Sequence, residues 1–161
     1  MMKQIQLTQG KVAIVDDEDY ERLNKHKWYA NKGHDTFYAV RNSPRLNGKQ
    51  THIFMHRVIL GLELGDTRQV DHKNRNSLDN WRDNLRTCNG TQNKQNGNPY
   101  RNGSSAFKGV TWEMRERKWR ARIKLNGKLK HLGYFDSEIE AAIAYDEAAR
   151  KYFNQFAYTN Y

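Results

Sequence analysis

Residues 70–96 read VDHKNRNSLDNWRDNLRTCNGTQNKQN. Val70 is the apolar end of a short strand that carries Asp71 and His72 into a long polar loop. Residues 85–88, LRTC, form a second strand candidate, and the polar residues 91–96 follow as a helical turn. A carboxylate beside an imidazole suits metal-assisted chemistry. The carboxylate is a hard oxygen ligand, and the imidazole takes up a proton near neutral pH. Asn84 and Asn93 add amides that can orient a loop or lend a carbonyl oxygen to a cation. An Asp-His pair alone carries little, since most such pairs are ordinary surface residues. The ordered set carries more.

The chain around this stretch has 161 residues, enough for one sizeable domain or two small ones. It holds 28 Lys and Arg against 18 Asp and Glu, a net charge of +10. That balance favours a polyanionic partner over a plain soluble basic protein. No apolar run is long enough to cross a bilayer and no signal-peptide pattern opens the chain, so a soluble intracellular protein is expected. Cys88 is the single cysteine. It excludes an intramolecular disulfide and a multi-cysteine zinc site, and reads as a small core residue on the second strand.

Upstream, Ile5 and Leu7 alternate with polar neighbours, and residues 11–15 form a second strand candidate after Gly10. Residues 16–25 begin acidic and end basic, which suits a helix dipole. Residues 28–30 and 37–41 read as two more strands. Their aromatics, Trp28, Tyr29, Phe37 and Tyr38, fit sheet packing better than base stacking. Asn47-Gly48 signals a hairpin turn. A strand over 51–55 and an apolar helix over 56–62 follow, the helix placed to hold the 70–96 unit against the N-terminal sheet. His52 and His56 read as hydrogen-bonded structural histidines, with ligation as the alternative.

Residues 94–106 turn dense in Asn, Gly and Ser, a linker composition that implies few contacts between the parts it joins. Beyond it, residues 107–112, 118–125 and 128–132 read as three strands, with Asn126-Gly127 as a tight turn. In the middle strand Trp119, Ala121, Ile123 and Leu125 point one way, and Lys118, Arg120, Arg122 and Lys124 the other. Residues 137–140, SEIE, form a capping box that opens a helix. Its apolar stripe is Ala141, Ala142, Tyr145, Ala148, Ala149 and Tyr152. Residues 101–130 hold ten Lys or Arg against two acids, while 131–161 hold two against five. One sheet face is therefore expected to pack on the helix and the other to be basic, free of acids along the middle strand.

The strand with Asp71-His72, the loop with Asn84-Leu85-Arg86, the second strand and the helical turn with Asn93 together resemble the HNH nuclease motif. Phe107-Lys108-Gly109-Val110, Lys118-Trp119, residues 132–135 (LGYF), residues 140–142 (EAA), residues 144–146 (AYD) and Ala148-Ala149 resemble the DNA-binding domain of plant ethylene-response factors, which also occurs in HNH endonucleases of phages and bacteria. The two resemblances imply a phage-type HNH homing endonuclease. The implied fold is α+β. A small N-terminal sheet and a ββα-metal HNH motif occupy residues 1–98, with the motif core at 70–96. A linker follows at 99–104, and a three-stranded antiparallel sheet packed by one helix at 105–161.

By the same resemblance His72 is the general base, and Asn84 braces the loop that positions it. Asp71 and Asn93 ligate one divalent cation, Mg2+ or Mn2+. Asn93 stands where many members have His. Lys73, Arg75, Arg82 and Arg86 would contact phosphates. Lys108, Arg115, Lys118, Arg120, Arg122, Lys124 and His131 would face DNA, with Thr111, Arg115, Arg122 and His131 departing from the plant residues. The expected partner is double-stranded DNA in a bacterial host cytoplasm, for a monomer that requires no membrane and no protein partner. The rival readings are a sequence-specific DNA-binding regulator without catalysis and an RNA-binding protein.

Overall fold

A computed structural model describes residues 1–33, 36–99 and 103–161. They form an α+β protein of two compact units, Met1–Gly90 and Thr91–Tyr161. No helix among them is long and apolar enough to cross a membrane.

The first unit starts with a hairpin of β1 (Met2–Gln6) and β2 (Val12–Asp16), paired antiparallel from Met2 opposite Asp16 to Gln6 opposite Val12. Period-2 alternation sends Ile5, Ala13 and Val15 inward. Helix α1 (Asp17–Asn24) carries Asp17, Glu18 and Asp19 in its first turn, where the helix dipole favours acids. It buries Leu23, whose carbonyl accepts the Trp28 indole N–H at 2.8 Å. The expected packing role of Trp28 is thereby met. Strands β3 (Tyr29–Lys32), β4 (Phe37–Asn42) and β5 (His52–Phe54) form an antiparallel sheet in that order. Asn47 and Gly48 both have positive φ in the tight turn between the bridged residues Leu46 and Lys49. Helix α2 (Met55–Ile59) follows β5 directly and is shorter than the expected 56–62. Gly61, at φ +67°, ends it as a left-handed C-terminal glycine does.

Strands β6 (Gln69–His72) and β7 (Leu85–Cys88) pair antiparallel, with Asp71 opposite Arg86 and His72 opposite Leu85. Leu85 shares one core with Ile5, Val15, Leu23, Trp28, Met55 and Ile59, so the hairpin is seated on the N-terminal elements. Helix α3 (Gly90–Asn96) begins at the last residue of the first unit and otherwise belongs to the second.

In the second unit the strands β8 (Val110–Glu113), β9 (Lys118–Leu125) and β10 (Lys128–Phe135) lie in the order β10-β9-β8, all antiparallel. Two strands depart from their expected bounds. β8 starts at Val110 rather than 107, because Gly109 takes φ +78° and turns the chain. β10 continues past 132 to Phe135 through a bulge between His131 and Gly133. The extra residue lets Leu132 join the core while the alternation resumes out of step beyond it.

Helix α4 (Glu138–Phe153) is opened by Ser137, whose Oγ accepts from Ile139 N at 3.2 Å. Ala141, Ala142, Tyr145, Ala148 and Ala149 are buried with Val110, Ala121 and Ile123. The expected sixth stripe residue, Tyr152, is exposed; Phe153, one residue on, fills that place. Of the expected linker 99–104, Tyr100, Arg101 and Asn102 lie outside the described residues.

Candidate active site and basic sheet

Asp71 and His72 are consecutive on β6, so strand alternation turns their side chains to opposite faces, and both are buried. The His72 ring places Nε2 3.2 Å from Asn80 Oδ1. Asn80 is fully buried. Its Nδ2 donates to the Leu78 carbonyl at 3.0 Å and its backbone N–H to Ile14 O at 2.6 Å. This orientation turns the acceptor-only Oδ1 toward the imidazole. Oδ1 accepts from Nε2 in the tautomer that carries its proton there. Burial holds the His72 pKa below its ordinary value, opposed by the Asn80 bond and the charges of Asp71 and Asp79. The neutral form, the one able to accept a proton, is therefore favoured.

His56 packs edge-on against His72, ring centroids 5.2 Å apart and planes at 86°. Phe54 and Tyr38 complete the aromatic surround, at 5.4 and 5.9 Å from His56. Burial, with help from His72 and Arg57, pushes the His56 pKa down to about 3. His56 is thus a packed aromatic in this fold rather than the hydrogen-bonded histidine expected. His52 is exposed and meets the edge of Tyr29.

The loop between β6 and β7 is braced by Asn84. Its Oδ1 accepts from Asn74 N at 3.0 Å, and its Nδ2 donates to Asn74 Oδ1 at 3.0 Å and to Asp79 O at 2.7 Å. Asn74 Nδ2 in turn donates to Asp79 Oδ2 at 2.7 Å. One short buried side chain thus ties together both limbs of the loop that carries Asn80. Ser77 Oγ donates to Phe37 O at 2.7 Å, which fixes the loop to β4. Lys73 is exposed, and Arg75 takes φ +65° in the turn after His72.

Two arginines expected at phosphates are engaged by carboxylates. Arg86 Nε donates to Asp71 Oδ2 at 2.7 Å across the hairpin, and both side chains are largely buried. Arg82 pairs with Glu18 at 2.7 Å and Asp19 at 2.9 Å, while its backbone N–H donates to Asp16.

On the outer face of the second unit's sheet the expected cations differ in state. Arg120 pairs with Glu113 at 2.6 Å and Lys118 with Asp136 at 3.2 Å, so acids from β8 and from the segment after β10 reach this face. The middle strand carries no acid, as expected, and the acids that meet this face come from its neighbours. Arg122 and Lys124 have no side-chain hydrogen bond or ion pair among the described residues. His131, opposite Arg122 in register, packs its ring tilted against Tyr134, centroids 4.6 Å apart. Arg115 is exposed in the turn between β8 and β9. Lys108 is elsewhere engaged: its Nζ donates to the carbonyls of Lys94, Gln95 and Gly97.

Among the described residues no group of three or more His, Cys, Asp or Glu is gathered to hold a metal ion. The carboxylate of Asp71 is a hard oxygen donor of the kind that suits Mg2+ or Mn2+ keeping several waters. Asn93 lies on α3.

The sequence reading missed Asn80, Asn74, Glu113 and Asp136. Asn80 carried a weak signal: Asp79-Asn80 lies eight residues from His72 within a loop otherwise read only as polar. The carboxylates carried none, since their roles depend on strand pairing.

No protein-family model matches the chain. Over 61 residues, 37% of this chain and 14% of the relative, it is 48% identical to APETALA2-like protein 2 of rice, in both Oryza sativa subsp. indica and subsp. japonica. Over 151 residues it is 30% identical to an uncharacterized HNH endonuclease of Acanthamoeba polyphaga mimivirus, a match that covers 94% of this chain and 75% of that relative. A buried His72 beside Asp71 on a short hairpin, with a braced loop between its strands, accords with so long a match, and the chain belongs to the HNH endonuclease family.

Proposed function

We propose that this chain hydrolyses phosphodiester bonds in duplex DNA, with His72 as the general base. The observation that carries the reading is the His72–Asn80 contact. A buried Asn meets Nε2, and burial disfavours the imidazolium, so the neutral ring is the form held at the site. In the step, the neutral His72 imidazole takes a proton from water. The water oxygen forms a bond to phosphorus, and the bond from phosphorus to the leaving oxygen breaks. Asn84 keeps the loop, and with it Asn80, in place. Asp71 would offer a carboxylate oxygen to one Mg2+ or Mn2+, which when bound neutralises charge on the phosphate and leaving oxygen. The outer face of the β8–β10 sheet supplies DNA affinity, with Arg122 and Lys124 as its uncommitted cations, His131 opposite Arg122 and Arg115 in the β8–β9 turn. The 61-residue match to the rice relative is close in length to residues 105–161.

The test is cleavage of plasmid by the purified chain with Mg2+. His72→Ala is expected to lose at least about 100-fold in cleavage with DNA affinity nearly unchanged. Chelation is expected to stop cleavage, and added Mg2+ or Mn2+ to restore it. Equal cleavage by wild type and variant overturns the assignment.

The Asp71–Arg86 pair favours a second reading, a DNA-binding protein without catalysis, because a guanidinium occupies an oxygen that a cation would use. Wild-type protein that binds duplex DNA yet never cuts it in Mg2+ or Mn2+ would establish that reading instead.

A further inference from the structure

The outer face of the second unit's sheet carries two rows of side chains, one cationic and one largely apolar. Lys118, Arg120, Arg122 and Lys124 share that face on β9. Residues paired across an antiparallel ladder point the same way, so the register names their neighbours on β10. Leu129 lies opposite Lys124, His131 opposite Arg122 and Tyr134 opposite Arg120. The intervening residues of β10 turn to the helix side. Lys130 Nζ donates to the Tyr152 hydroxyl on α4 at 2.8 Å, and Leu132 and Phe135 pack against the core.

Strict alternation would not produce this row. Continued from Leu129 and His131, it would bring Gly133 to the outer face and send Tyr134 toward α4. The bulge between His131 and Gly133 inserts one residue and exchanges the two. Glycine suits the bulge: Gly133 takes φ +152°, and a Cβ there would lie 3.0 Å from the Phe135 ring. Tyr134 is thereby delivered to the cationic face. It is 42% exposed there, its ring tilted against His131 with centroids 4.6 Å apart. Leu129, at the other end of the row, is 62% exposed. A leucine offers a phosphate neither a charge nor a donor, so phosphate contact alone does not account for the row.

Base edges in the major groove present two chemistries. Guanine offers N7 and O6, which take a guanidinium, and thymine offers a C5-methyl group, which takes an apolar contact. A cationic row beside an apolar one matches both. We propose that the β10 row reads thymine: Tyr134, its ring braced by His131, packs against a C5-methyl group in the major groove, and Leu129 against another. Tyr134 is then a specificity-determining residue. The inference rests on the proposed binding of duplex DNA by this face.

The test uses the full chain and a duplex selected with it from a random-sequence library in excess chelator. Each thymine of the selected duplex is replaced in turn by deoxyuridine, which differs only in lacking the C5-methyl group. Wild type is expected to bind at least one such duplex about fourfold more weakly, the worth of one buried methyl group. Tyr134→Ala is expected to bind the thymine and deoxyuridine duplexes equally at that position, with the salt slope of wild type. Leu129→Ala is expected to lose the difference at a second thymine. Tyr134→Phe keeps the discrimination, because the ring and not the hydroxyl meets the methyl group. Amide hydrogen exchange in β9 checks that the variants stay folded. A selected site without thymine overturns the proposal, as do deoxyuridine duplexes that all bind as tightly as the parent. Tyr134→Ala that weakens both duplexes alike and keeps the full difference overturns it too, and makes Tyr134 a backbone contact. In each of these cases duplex binding itself still stands. Absence of affinity for any duplex refutes the DNA-binding reading of the face, and the proposal with it.

Discussion

The perturbation most directly quantified by the structure is protonation of His56. Its folded pKa of about 3, against an ordinary 6.5, means that the folded chain refuses a proton which the unfolded chain accepts. With a depressed folded value, the unfolded state binds more protons as pH falls. Stability is therefore full above 6.5 and is lost as pH drops from there toward about 3. From 6.5 to pH 5 is 1.5 units at 1.36 kcal/mol each, about 2 kcal/mol lost relative to neutral pH. His56→Phe keeps a planar ring among Phe54, Tyr38 and His72 and removes the titration. Urea unfolding at pH 7 and pH 5, followed through the Trp28 indole N–H resonance, reads the first unit because that group is bonded to Leu23 O. Wild type is expected to lose about 2 kcal/mol more than the variant between the two pH values. His72 titrates in the same direction and is present in both chains. Asp66, whose pKa is lowered to about 2 by Arg68, titrates below this window. Equal losses in the two chains, within about 0.5 kcal/mol, would refute a neutral, buried His56.

Arg86→Ala leaves the buried Asp71 carboxylate without its cross-strand cation, and a loss of about 3–5 kcal/mol is expected in denaturant unfolding; a loss under about 1 kcal/mol would place that pair in solvent. Gly109→Ala puts a Cβ 2.0 Å from the Tyr145 ring and 2.8 Å from Arg122 O at φ +78°, so the second unit is expected to lose about 4 kcal/mol or more, checked by thermal unfolding. Arg122→Ala is expected to cost roughly 1–3 kcal/mol on the preferred site and relax one base position in a site library, as removal of a bidentate guanine contact does; unchanged preference and salt slope would remove the sheet face as the reading surface.

The elements legible in advance are those whose pattern is local. β7 and β9 were delimited by turn residues and alternation, and α4 by Ser137 and a run of small residues. What failed was period-keeping past an irregularity. Gly133 and the bulge at Leu132 carry β10 three residues beyond the point where strict alternation stops. Tyr152 and Phe153 are adjacent on α4, and which one meets the core depends on the helix's rotation against the sheet. At the site, strand and loop signals placed Asp71 and His72 on one strand and Asn84 just before the next, which is where they lie. Asn80 was passed over because a loop asparagine is distinguished only by the ring it faces.

The Asp71–Arg86 pair differs in kind, since the information for it was present. Two strands of four residues, 69–72 and 85–88, joined as an antiparallel hairpin with their ends aligned, place 71 opposite 86. Opposite residues on one face of such a pair lie within side-chain reach, so an acid and an arginine there are partners before either is offered to a phosphate. Writing down the register therefore reassigns Arg86 from DNA contact to counter-ion. Lys108 admits no such step. Its carbonyl partners lie eleven to fourteen residues upstream, across a segment whose composition reads as a linker. Only the folded path of that segment brings a lysine of one sheet to the end of a helix in front of it, and composition measures the stiffness of such a path rather than its destination.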